Sequence, residues 1–155
     1  MEDSVINEVL KKIKEEGNSK DFECYSLKCH IQRHEDFGHL CGYVRVPKDH
    51  PLWGKNYNEP LCNHYGCLEH TVSRLIKVHG GLTFSGRAYW TEDKEGWWFG
   101  FDCAHAGDLI PFLHVDFPDE VYRDMNYVEK ECRKLAMQLA SITKEKIKSF
   151  IMKDR

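Results

Sequence analysis

The chain has 155 residues, with 30% charged and 41% hydrophobic side chains and a formal charge of −3. That length predicts one domain, residues 1–155, which buries roughly 70% of its unfolded surface and needs no metal or disulfide staple to fold. The acidic balance excludes a general nucleic-acid binder, and no apolar run approaches the roughly 18 residues of a membrane span.

The opening residues "MEDSVINEVLKK" carry no basic segment followed by an apolar stretch, so a cytoplasmic chain is expected. The seven cysteines are accordingly read as reduced thiols. Val5, Ile6, Val9, Leu10 and Ile13 share one face at helical spacing, predicting a helix over 3–16 that ends at Gly17. "GNSKD" reads as a loop, and residues 22–33 as one strand. "HLCGYVRV" alternates cleanly: Leu40, Gly42, Val44 and Val46 point one way, Cys41, Tyr43 and Arg45 the other. Pro47 ends that strand, and a proline-containing loop follows.

Residues 60–72 form a Cys/His-rich insert. Cys62, His64, Cys67 and His70 follow C-x-H-x2-C-x2-H spacing, with Cys24, Cys29, His30, His34 and His39 upstream. These are zinc-ligand types, but the spacing departs from the usual knuckle, so the default expectation is no metal, with zinc as the alternative.

A strand is predicted from about Leu75 to Trp90, bulged at Gly80-Gly81 and paired in a hairpin with "WWFGFDC". Alternation sends Trp97 and Trp98 to opposite faces, one under a helix and the other free to stack on a planar ligand. Asp102, His105 and Asp108 recur at three-residue steps in "FDCAHAGD". They read either as a turn-capping set or as groups for acid–base work, metal or ribose. Val121, Met125, Val128, Cys132, Leu135 and Leu139 predict an amphipathic helix over 119–140. Its stripe also offers a dimer surface. A short helix ends the chain, in the 141–155 segment.

The fold class is therefore α+β: a small antiparallel sheet, with the N-terminal helix and the long C-terminal amphipathic helix packed on one face.

"CGYVRVPKDHPLWGKNY", "VHGGLTFSG", "WWFGFDCAHAGD" and "YRDMNYVEKECRKLAMQL", spanning about 41–140, resemble a widespread group of small proteins of tailed bacteriophages and prophages. The insert at 60–72 departs from that pattern. The resemblance implies a phage accessory protein acting in the host bacterial cytoplasm, but carries over no catalytic residue. Small phage proteins of this kind often counter host defence, some by sequestering nucleotide immune signals such as cyclic nucleotides or cyclic ADP-ribose isomers.

The leading expectation is thus a binding protein for a nucleotide-like small molecule. Trp90, Trp97 or Trp98 would stack on the base. His79, Arg87 and the Gly80-Gly81 amides would meet phosphate. Asp102, His105 or Asp108 would hold ribose or base. A homo-oligomer is expected, since a small domain makes deep pockets most easily between subunits. The alternatives are a metal-dependent phosphoesterase, with His79, Asp102, His105 and Asp108 as ligands, and a protein–protein inhibitor of a host factor.

Overall fold

The structure, a computed structural model, describes residues 2–62, 69–113 and 119–153. Among these, five strands form one antiparallel sheet: β1 (Ser19–Cys24), β2 (Leu27–Arg33), β3 (Leu40–Val46), β4 (Phe84–Gly86) and β5 (Trp97–Asp102). Their order across the sheet is β1-β2-β3-β5-β4. The helices are α1 (Glu2–Glu16), the single turn α2 (Val72–Leu75), α3 (Met125–Ala140) and α4 (Lys144–Met152). The chain therefore has the expected α+β architecture. No helix among the described residues is long and apolar enough to cross a membrane.

Period-two alternation gives the sheet two different faces. Ile31 of β2, Leu40, Val44 and Val46 of β3, and Phe99 and Phe101 of β5 are buried on the first face. They pack with Val128, Cys132, Leu135 and Leu139 of α3, which lies across β3 and β2. Each such side chain contributes about 1.5–3 kcal/mol by leaving water. Gly42 permits the contact: a Cβ there would sit 2.6 Å from the Cys132 sulfur. The helical stripe read as a possible dimer surface is thus spent on the chain's own sheet.

The second face carries Lys28, His30 and Gln32 of β2, Tyr43 and Arg45 of β3, and Trp98 of β5. The pairing His30↔Tyr43 and Arg45↔Trp98 sets these side chains beside one another. Trp97 takes the helix side, where its indole N–H donates to the Lys55 carbonyl at 2.7 Å. The two neighbouring indoles do separate as alternation requires.

Arg33, buried at the end of β2, ties the ends of the chain's elements together. It donates to the Gly17 and Gly38 carbonyls, to Asn18 and to the Tyr122 hydroxyl. Tyr122 in turn donates to Glu16, which also accepts the Met125 N–H at 3.1 Å. The end of α1 is thereby fastened to the start of α3.

Three element boundaries differ from the sequence reading. Residues 22–33 are two strands, because Tyr25 and Ser26 both take left-handed backbone (φ 54° and 62°) and close a hairpin. β1 also begins earlier, at Ser19, inside the expected loop. The strand expected from Leu75 to Trp90 is reduced to Phe84–Gly86, because Gly80 and Gly81 both sit at positive φ and turn the chain. The long helix starts at Met125, not 119. Asp119 is left-handed at φ 69°, and Asp124 caps the helix by accepting the Tyr127 N–H at 2.9 Å.

Candidate functional site

Two polar constellations stand out, at opposite ends of β5. The first gathers around Asp108, which is 1% exposed. The turn Val78–Gly81 closes through the Gly81 N–H and the Val78 carbonyl at 2.8 Å and presents His79 to it. His79 Nε2 lies 2.8 Å from Asp108 Oδ2, and its Nδ1 lies 2.7 Å from the Tyr127 hydroxyl. The His79 backbone N–H donates to Glu131 Oε1 at 2.8 Å. Asp108 also accepts the Arg123 Nε–H at 2.9 Å and the His105 backbone N–H at 3.0 Å. Burial alone would raise its carboxyl pKa, but the hydrogen bonds from His79, Arg123 and His105 outweigh it and hold the group below its ordinary 3.8.

Gly80 completes this arrangement. A Cβ on it would fall 2.3 Å from the His105 ring, so the imidazole lies directly on the glycine backbone. His105 Nε2 is 3.1 Å from Asp102 Oδ1, without forming a hydrogen bond. Asp102 instead accepts the Thr83 hydroxyl at 2.8 Å and the Ala104 N–H at 3.0 Å. The two aspartates therefore both tie down the turn after β5, as turn-capping carboxylates do.

The second constellation lies on the open face of the sheet, under the irregular segment 87–96. The Trp90 ring stacks on His30 with centroids 4.7 Å apart and planes 9° from parallel. It also meets Trp98 edge-to-face at 5.0 Å and Tyr43 at 4.3 Å. His30 is held from both sides, Nδ1 being 2.7 Å from Asp21 Oδ1 and Nε2 2.9 Å from Gln32 Oε1. A hollow of about 540 Å³ opens here, walled by His30, Trp90 and Trp98 and edged by Asp21, Glu23, Lys28 and Asp93. A second of about 580 Å³ shares Asp21, His30 and Trp90 and runs toward Arg33, His34 and Phe112. The stacked pair His30–Trp90 is thus common to both hollows.

Trp98 is 4% exposed, and its indole N–H finds no acceptor among the described residues. A buried donor left unmade costs about 1–3 kcal/mol, so such groups call for an explanation. Arg45 is occupied by Asp93 at 2.5 Å and holds that carboxyl down at about 2.

The expected site residues divide between these places. His79, Gly80, Asp102, His105 and Asp108 come together at the first, with Gly81 in the same turn. Trp90 and Trp98 belong to the second. Trp97 packs beside Trp53 on the other face, and Arg87 lies over the Trp53 ring at 5.5 Å, away from His79. His79 and Arg87 thus sit against different partners.

In the Cys/His insert, Cys62 is disulfide-bonded. His70 is buried edge-on to Phe150. His64 and Cys67 lie outside the described residues. Among the described residues, no three His, Cys, Asp or Glu side chains converge as a metal-ligand set. Cys24, Cys29, Cys41, Cys103 and Cys132 are free thiols, and burial pushes Cys29 and Cys41 up to about 12.

Sequence reading missed Tyr127, Arg123 and Glu131 at the first place, and Asp21, His30 as an aromatic partner and Tyr43 at the second. For His30 and Tyr43 a signal existed, since both fall on the polar side of an alternating strand. No family model, curated protein or solved structure matches the chain.

Proposed function

We propose that the protein binds and holds a small nucleotide-derived molecule, with a planar ring seated in the groove beside Trp90. The observation that carries this reading is the hollow of about 540 Å³, walled by stacked and edge-on aromatic rings and lined in part by Trp98, whose buried indole N–H has no acceptor among the described residues. Ligand sites are typically concave, mainly apolar, and equipped with a few convergent polar groups. Stacking on an aromatic side chain contributes about 1–3 kcal/mol per base. On the resemblance to small phage proteins, the ligand would be a host nucleotide signal kept from its effector.

The hydrolytic alternative draws less support. Both Asp108 oxygens and both His79 ring nitrogens are already engaged by protein groups. The His79–Asp108 cluster is better read as the frame that fixes the turn after β5 against α3.

The test is mass spectrometry of small molecules released from purified protein, followed by tryptophan-fluorescence titration with nucleosides and nucleotides. Recovery of an intact nucleotide after incubation and denaturation supports holding. An altered product would mean turnover, and no response to any nucleobase-bearing compound would end the proposal.

A further inference from the structure

We infer that the groove takes the base end of its ligand, a nitrogen heterocycle carrying an exocyclic amino group, while phosphate stays outside. This rests on the groove being a binding site and specifies what it recognises. Two carboxylates edge the hollow without a lysine or arginine bound to them among the described residues: Asp21, whose side chain is 77% exposed and meets His30, and Glu23. Asp21 spends one oxygen on His30. Ionised carboxylates only accept hydrogen bonds, so they match the N–H groups of an amino-substituted ring and repel a phosphate.

Three arginines are committed elsewhere. Arg45 is bound to Asp93, Arg33 to backbone carbonyls and Tyr122, and Arg123 to Asp108. Among the described residues, Lys28 is the one lysine or arginine that lines this hollow.

Trp98 supplies the complementary half. Its N–H is a donor without an acceptor, and a ring nitrogen is a suitable one. The Trp98 ring meets Trp90 edge-to-face, and Trp90 stands on a segment outside the strands. A displacement of Trp90, with the heterocycle entering the stack, would open the buried indole N–H to a ring nitrogen. The groove thus pairs acceptors at its rim with a buried donor among its lining residues.

The test compares adenosine, purine riboside (the same ring without the amino group) and adenosine monophosphate by tryptophan fluorescence and calorimetry. Adenosine should bind about tenfold more tightly than purine riboside, the worth of one hydrogen bond to a charged acceptor. The monophosphate should bind no more tightly than adenosine. Glu23→Gln, which leaves the Asp21–His30 contact in place, should narrow the gap. Asp21→Asn with Glu23→Gln should close it.

Equal binding of the two nucleosides, or tighter binding of the monophosphate, would overturn this inference and leave the groove a binding site. Silence toward all three and toward other nucleobases would overturn both.

Discussion

At the Asp108 end of β5, charged and polar side chains satisfy one another except at His105 Nε2, which makes no hydrogen bond among the described residues. His79, Arg123 and the His105 amide all converge on one buried carboxylate. At the Trp98 end, rings stack but polar atoms are left over: an indole N–H with no acceptor among the described residues and carboxylates facing solvent. On the reading proposed above, the first end is framework and the second is surface for another molecule. A closed network fixes backbone geometry, whereas an incomplete one beside a hollow leaves room for ligand atoms to complete it.

Substitutions sharpen the contrast. The largest effect is expected from Asp108→Ala, which strands Arg123 and His79 without their shared acceptor. Breaking a buried charged contact from one side costs about 3–5 kcal/mol, and urea denaturation would read it. Unchanged stability would demote the network from framework.

Gly80→Ala comes next, at about 3 kcal/mol, because it combines left-handed strain with a collision against the His105 ring. Gly81→Ala, which has the same backbone sign but open space around it, should lose only about 1 kcal/mol. Thermal melts of the two variants separate packing from conformation.

Trp90→Ala should reverse the pattern. Stability changes little beside the loss at Asp108, but ligand affinity falls by about 1–3 kcal/mol, read by calorimetry. A variant that binds as before would move the site away from the groove.

The smallest expected effect per group is with pH. Burial, and then neighbouring His34, push His39 below the ordinary imidazole value of 6.5. Burial does the same to His50 against its hydrogen bond to the Leu139 carbonyl. Their unfolded forms take up protons first, so stability is complete above 6.5 and declines as pH falls from there toward the lowered folded values. Asp108, held below 3.8, adds a second decline only as pH falls beneath that value. Melting temperature against pH should therefore show two acid steps, and Asp108→Asn should weaken the lower one.

Much of this fold was legible in advance where one element's periodicity carried the information. The alternation Leu40, Gly42, Val44, Val46 located β3 and its buried face. Trp97 and Trp98 had to part company for the same reason. The stripe Val128, Cys132, Leu135, Leu139 marked the buried side of α3. The hairpin at Tyr25-Ser26 was hidden because neither residue advertises left-handed backbone. The strand predicted beyond Leu75 is longer than the one formed, because the glycines of "HGG" turn the chain where a bulge would continue it.

The candidate sites were less legible, for a definite reason. Amino-acid order determined the helix and strand faces by itself, because side-chain direction follows from local backbone geometry within a few residues. Only tertiary structure decided that His79 would meet Tyr127, 48 positions away, and Asp108, 29 positions away. It also decided that Trp90 would stack on His30 and not join the glycine turn. Such meetings depend on how separate elements pack, and side-chain periodicity within each element does not encode the partner across the gap.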